Sequence, residues 1–189
     1  PGRTTVAFTY FASVIDNFLR SRNINAPICP EQVNCLNAPR PLPGSGNIYE
    51  YESTGRVNQN RFNFNFRSNF NPKYSLFGNY SLGFANGDSD GAGSFPAYSY
   101  DLSDEYGRSS FDIRHSIVFG GNFNMPWGVS LSPFINYNSG RPFNITRGQD
   151  LNGDLQFTER PTFGQLAARC SELRLTASYC EVSEYDPNE

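Results

Sequence analysis

Three residues at alternate positions, Asp150, Asn152 and Asp154, have the side chains of this sequence that are best suited to hold a metal ion. Carboxylate and amide oxygens at positions 1, 3 and 5 of a short loop are ligands that calcium prefers. The segment departs from the EF-hand later, with Leu155 instead of glycine at position 6 and Pro161 instead of glutamate at position 12. The sequence therefore predicts at most a weak calcium site, and an Asx-rich loop without metal is the alternative.

Four cysteines form two local pairs, Cys29 with Cys35 and Cys170 with Cys180. Each pair lies in a segment without strand periodicity. Local pairs in loops predict two small disulfides formed in an oxidising compartment, and four free thiols are the alternative. A zinc site is disfavoured, because neither spacing matches a zinc finger and His115 is the one histidine of the sequence.

Sequence motifs for catalysis are absent. The chain contains neither H-E-x-x-H nor G-x-S-x-G, and the triplet Gly87-Asp88-Ser89 has no histidine block downstream. The net charge of −3 is too small to indicate a nucleic-acid partner. We therefore expect a protein that is not an enzyme, has no cofactor apart from the weak calcium candidate, and does not bind nucleic acid.

The elements that would carry these loops are predicted from an alternating pattern between Arg61 and Phe70. Neighbouring side chains of a strand point to opposite faces, so this segment has one face of phenylalanines and one of asparagines and arginines. The alternation recurs in later segments, and 17 Phe and 11 Tyr against one Met favour an all-β fold. One apolar and one polar face on every strand is typical of a transmembrane β-barrel with lipid outside and water inside.

The pattern predicts about six antiparallel strands joined by alternating short and long connections. The predicted strands cover residues 4–12, 17–25, 48–70, 74–86, 109–125 and 129–140, and the long loops cover residues 26–47, 87–108 and 141–189. Several strands exceed the roughly 9 to 11 residues that cross a bilayer, which favours a large receptor-type barrel. Because six strands do not close such a barrel, we expect residues 1–189 to be an incomplete barrel domain with long extracellular loops.

Two segments resemble the late barrel region of TonB-dependent receptors, and an earlier segment is similar to the same branch of that family. Phe111 to Gly128 begins with F-D-I-R-H, Asn138 to Pro161 contains S-G-R-P-F, and Leu19 to Pro27 reads L-R-S-R-N-I-N-A-P. The similarity is to the Oar-like branch, whose members carry a carboxypeptidase-regulatory-like domain at the N-terminus. The resemblance implies a bacterial outer-membrane barrel of about 22 strands, closed inside by a plug domain and energised through TonB.

What the resemblance implies about function is binding and uptake of a ligand, with outer-membrane lipid and the TonB system as partners. Contact with TonB would be made through parts that this sequence does not contain, and the residues present do not indicate the ligand. A small porin or adhesin-like barrel is one alternative. A soluble secreted β-sandwich that binds calcium or carbohydrate through residues 140–189 is another.

Overall fold

A computed structural model describes residues 3–30 and 35–181 of the chain, apart from the side chain of Leu36. Its strands are β1 (Arg3–Asn23), β2 (Tyr49–Asn71), β3 (Tyr74–Gly87), β4 (Gly107–Arg108), β5 (His115–Asn124), β6 (Ser130–Leu131) and β7 (Phe134–Asn138), and one α-helix, α1, spans Phe163–Leu173. The strands form one sheet in the order β1-β2-β3-β5-β6, with β4 beside β3 and β7 beside β5. Within the described residues this sheet is open, because β1 lies at one end of the order and β6 at the other.

The fold class predicted from the alternating pattern, a sheet of antiparallel strands, is confirmed. No helix among the described residues is both long enough and apolar enough to cross a membrane.

The first two predicted strands, 4–12 and 17–25, are wrong as separate elements, because β1 runs without interruption from Arg3 to Asn23. The segment between them contains Val14 and Ile15, whose β-branched side chains favour extended backbone, and it lacks glycine and proline. The irregularity falls instead at Asn17, whose φ of 60° is a left-handed conformation that asparagine tolerates better than most residues. The two predicted strands are therefore a single strand in the structure.

Strands β2 and β3 lie within one residue of the predicted ranges 48–70 and 74–86. The turn between them is fixed by Asn71, whose side-chain oxygen accepts the N–H groups of Lys73 at 2.8 Å and Tyr74 at 3.0 Å. This Asx turn reverses the chain within two residues, so β2 and β3 form a tight hairpin.

The predicted strand 109–125 is too long at its start, because β5 begins only at His115. Asp112 is buried and accepts the N–H of Ala85 at 3.1 Å, and it forms an ion pair with Arg114 at 3.0 Å. A side chain thus takes the place of a backbone partner before β5 begins.

The predicted strand 129–140 is divided into β6 and β7 at Pro133. Proline has no N–H to donate to a neighbouring strand, which interrupts the regular pairing. Its carbonyl oxygen accepts the N–H of Gly121 at 3.1 Å, so contact with β5 continues across the break.

The predicted loop 141–189 contains α1, which the alternating pattern did not predict; residues 182–189 of that loop lie outside the described residues. The helix begins with a capping box in which Thr162 accepts the backbone N–H of Gln165 at 3.3 Å and the Gln165 side chain accepts the N–H of Thr162 at 3.1 Å. Thr-x-x-Gln is a sequence signal for a helix start, and the 2-residue period of strands does not detect it.

The chain divides into two compact units. The first, here called the sheet unit, comprises Pro1–Ile15, Asn58–Asn86 and Ser110–Pro142; the second, the loop unit, comprises Asp16–Val57, Gly87–Ser109 and Phe143–Glu189. The loop unit holds the long irregular segments together with the ends of strands β1 and β2.

Candidate functional site

The sheet unit has an apolar face that continues from strand to strand. Tyr80 pairs with Ile117, which pairs in turn with Tyr137, so these side chains share one face. The same face carries Phe62, Phe64, Tyr80, Ile117, Phe119, Ile135 and Tyr137, here called the apolar face. Apart from the half-buried Phe119, these side chains are exposed: 41% of Phe64 and 56% of Ile135 is accessible. An exposed apolar face of this extent indicates contact with something other than water.

Strand β1 extends the apolar face with two aromatic residues. The ring centroid of Tyr10 lies 4.7 Å from that of Phe62, and that of Phe8 lies 6.2 Å from it. The Tyr10 hydroxyl donates to the Asn60 side chain at 2.7 Å, so the one polar group of this pair is satisfied.

The opposite, polar face of the sheet unit is crossed by side-chain hydrogen bonds between neighbouring strands. The Asn79 amide donates to Asn65 at 2.8 Å, and the Ser81 hydroxyl donates to Asn63 at 2.9 Å. These bonds show that β2 and β3 present their Asn and Ser residues together, as the alternation from Arg61 to Phe70 predicted. Such a face suits water or a polar interior.

One aromatic side chain on the polar face covers a glycine. An added Cβ at Gly120 would lie 2.7 Å from the Phe77 ring, so no larger residue fits there without displacing the ring. Phe77 pairs directly with Gly120, and Gly120 pairs with Phe134 on its other side. Gly120 thus makes room for the Phe77 ring, and Phe77 and Phe134 lie among the polar residues of this face.

His115 lies on the apolar face, where its Nδ1 atom is 2.9 Å from the Tyr80 hydroxyl. The two rings stack with their centroids 6.1 Å apart. The Tyr80 hydroxyl thus gives His115 a polar partner on the apolar face.

In the loop unit, the segment that begins at Asp150 is folded by its own side chains. One Asp150 oxygen accepts the N–H groups of Gly153 at 2.7 Å and Asp154 at 3.1 Å, and the other accepts the N–H of Leu155 at 3.0 Å. Asn152 accepts the N–H of Asp154 at 3.0 Å. Leu155 has a φ of 62°, so this residue adopts the left-handed conformation usually provided by glycine at position 6 of a calcium loop.

The structure brings a further carboxylate, Glu159, to the same place. Potential ligand oxygens of Asp150, Asp154 and Glu159 all lie within 4.8 Å of one another. One Glu159 oxygen accepts the N–H groups of Leu151 at 2.9 Å and Asn152 at 3.2 Å, which closes the loop. Sequence reasoning missed Glu159 because it looked for a glutamate at position 12, where Pro161 stands, and Glu159 is at position 10.

The carboxylates of this cluster are buried. Asp154 is 1% and Glu159 3% exposed, and Oδ2 of Asp154 and Oε2 of Glu159 are buried without a hydrogen-bond partner. Burial raises the pKa of Asp154 to about 6; the hydrogen bond from Gln156 opposes this rise, and the nearby Glu159 and Asp150 carboxylates increase it. The three ionised carboxylates are therefore electrostatically unfavourable together unless a cation or a proton is bound.

The same loop is bonded to the two other long segments of the loop unit. The Arg40 guanidinium donates to the Gly153 carbonyl at 2.7 Å, and the Asn47 amide donates to the Asp154 carbonyl at 2.6 Å. The Asn152 amide donates to the carbonyl of Ala97 at 3.0 Å. Residues 150–159, here called the Asp150 loop, thus lie where three segments of the loop unit meet.

Both cysteine pairs lie in the loop unit and are joined as disulfides. Cys29 is bonded to Cys35, and Cys170 in α1 is bonded to Cys180. The backbone N–H of Cys35 donates to the Leu151 carbonyl at 3.2 Å, so the first disulfide lies next to the Asp150 loop.

Comparison with known protein families shows which family the sequence matches. The sequence model of the outer membrane beta barrel domain matches residues 1–183. The chain belongs to this family. No curated protein and no solved structure matches the sequence. Family membership confirms the barrel prediction and the predicted location in the bacterial outer membrane, and it removes the soluble β-sandwich as an alternative.

Proposed function

We propose that this outer-membrane barrel domain is part of a TonB-dependent receptor that binds a ligand at the cell surface and takes it up, without catalysing a reaction. The observation that carries the proposal is the length of β1 and β2, which have 21 and 23 residues. A strand that only crosses the bilayer needs about 9 to 11 residues. Strands of twice that length supply a wall that continues beyond the hydrocarbon.

The loop unit supports a binding role. Its long segments are connected to one another by part-buried hydrogen bonds, and a disulfide closes a short loop within each of two of them. A loop that only connects strands needs no such order, whereas a binding surface does. The resemblance of F-D-I-R-H and S-G-R-P-F to TonB-dependent receptors adds the same interpretation from the sequence.

The apolar face of the sheet unit is proposed to meet outer-membrane lipid, and the polar face to meet the interior of the barrel. Exposed Phe64, Ile135 and Tyr137 would be costly in water and favourable against hydrocarbon. The asparagine and serine bonds of the polar face suit an interior filled by water or by a plug.

A conductance measurement on the full-length parent protein, with potassium chloride as the probe, tests the proposal against the porin alternative. A receptor closed by a plug should give no steady unitary conductance in a planar bilayer, and a reversible channel should open when urea unfolds the plug. A steady open channel without urea would contradict the receptor and favour a small porin.

The coding sequence around this chain gives an independent test. A plug domain and a TonB box encoded upstream are expected for a receptor. A parent protein that lacks both and is closed by an adhesive surface domain would contradict the proposal and favour the adhesin-like alternative.

A further inference from the structure

We propose that Asp150, Asp154 and Glu159, together with Asn152, form a calcium-binding site in the loop unit. The site goes beyond the receptor function and does not rest on it, because a porin or an adhesin with the same loop unit would bind the ion equally well.

The first argument is the unbalanced charge of the cluster. Three carboxylates converge within 4.8 Å, and two of their oxygens, on Asp154 and Glu159, are buried and unpartnered. A buried carboxylate oxygen that lacks a partner is costly, and native proteins pair such oxygens with a cation or a donor. Among the described residues, the ion pairs of the loop unit join other carboxylates, such as Asp88 with Arg20 and Glu105 with Arg160.

The second argument is that backbone N–H groups hold the other oxygens of the same carboxylates. Glu159 accepts two N–H groups through Oε1, which leaves Oε2 unpartnered. Asp154 accepts the N–H of Gln156 at 2.8 Å through Oδ1, which leaves Oδ2 unpartnered. Asp154 and Glu159 are therefore each fixed by the loop through one oxygen, and the second oxygen of each is available as a ligand.

The third argument is the size and kind of the site. Calcium binds oxygen ligands at about 2.3 to 2.6 Å, so ligands on opposite sides of the ion are roughly 5 Å apart. The 4.8 Å limit on the cluster lies within that diameter. All candidate ligands are oxygens, which excludes a preference for zinc or copper. Several negative ligands in a loop of irregular shape suit calcium better than magnesium, which needs near-ideal octahedral geometry.

The position of Glu159 accounts for the missing carboxylate at position 12. The left-handed Leu155 turns the chain after Asp154, and the N–H groups of Leu151 and Asn152 draw Glu159 back to the loop. The site would thus be an EF-hand-like loop whose last carboxylate ligand is at position 10 instead of position 12. Bound calcium would stabilise the point where Gly153, Asp154 and Asn152 bond to the other two long segments.

The test is calorimetric titration of the full-length parent protein, freed of metal with a chelator, against calcium chloride and in parallel against magnesium chloride. We expect calcium to bind with a dissociation constant of about 10⁻⁵ to 10⁻³ M, as in extracellular modules and weaker sensors. Glu159→Gln and Asp154→Asn keep the size of the side chain and should each weaken this binding at least tenfold. Glu172→Gln removes an exposed carboxylate of α1 outside the cluster and should leave it unchanged.

A second measurement covers variants that fold poorly. Protease cleavage of the wild-type parent within residues 143–160 should slow at least several-fold when calcium replaces chelator, and magnesium should not replace calcium. The proposal is overturned if the metal-free wild type shows neither calcium binding nor protection. It is also overturned if well-folded Glu159→Gln and Asp154→Asn bind calcium as tightly as Glu172→Gln.

Discussion

The sheet unit and the loop unit are stabilised by opposite means. In the sheet unit the large apolar side chains of the apolar face, such as Phe8 and Ile135, are exposed, and among its described residues Ala85 is the one buried hydrophobic residue. In the loop unit, the largest fully buried side chains are mostly polar and include Arg20, Asn23 and Asn152. The sheet unit therefore depends on a nonpolar surrounding for its apolar face, and the loop unit depends on its internal polar bonds.

Asn25 illustrates how the loop unit works. Its amide donates to the carbonyls of Leu42 at 3.0 Å and Gly46 at 2.6 Å, and its oxygen accepts the N–H of Leu42 at 2.7 Å. A single buried side chain thus supplies the partners that a strand would otherwise provide. Irregular backbone can be buried in this way without losing its hydrogen bonds.

The largest expected effect tests the orientation of the sheet unit. In the full parent barrel, Phe64→Arg should reduce the stability of the folded state by about 2 to 4 kcal/mol if Phe64 lies near the bilayer midplane. Asn65→Arg introduces the same charge at the next residue, on the polar face, and should cost less than about 1 kcal/mol. Folding titrations into lipid vesicles measure both. Equal costs, or a larger cost at Asn65, would mean that the two faces are assigned the wrong way round.

The next effect concerns the covalent support of the loop unit. Replacing Cys170 and Cys180 by alanine removes a disulfide that spans 10 residues, and loop-closure entropy predicts a loss of about 2 to 3 kcal/mol. The loss should be local, so hydrogen exchange of the α1 amides should accelerate while the amides of β3 and β5 stay protected. The same exchange rates in wild type and variant would contradict a stabilising role.

A labelling experiment on the natively exported parent protein, without reductant, checks that both disulfides form in the cell. No thiol at Cys29, Cys35, Cys170 or Cys180 should react. Reaction of all four would show free cysteines and would remove the basis of the preceding prediction.

The contrast between the units also explains what the sequence could predict. In the sheet unit, the face on which a side chain lies follows from the 2-residue period of a strand, which can be read locally from the sequence. The hydrogen-bonded pairs Asn63 with Ser81 and Asn65 with Asn79 could therefore be expected on one face. The period does not locate irregularities, and the continuity of β1 through Asn17 was missed for that reason.

The loop unit has no period, and its residues are brought together by contacts that are distant in the sequence. Asn152 bonds to Ala97, and Arg40 bonds to Gly153, over separations of 55 and 113 residues. A local motif could identify Asp150, Asn152 and Asp154 as candidates. It could not identify Glu159, whose role depends on the left-handed turn at Leu155, a conformation that leucine rarely adopts.

The smallest effect concerns that turn. Leu155 is 68% exposed, so its side chain contributes little packing, and its φ of 62° is unfavourable for any residue with a Cβ. Leu155→Gly should therefore stabilise the loop by about 0.5 to 1 kcal/mol, since the relief of strain exceeds the added entropy of the unfolded chain. Hydrogen exchange of the Asp154 and Leu155 amides, both bonded to Asp150, should slow. Gly153→Ala is the matched control with the opposite sign: Gly153 has a φ of 76°, and alanine there should accelerate exchange of the same amides. Faster exchange in Leu155→Gly would instead mean that apolar contacts of the exposed Leu155 side chain stabilise the loop. The loop unit would then depend on apolar contacts as the sheet unit does, and the contrast between the two units would fail at this residue.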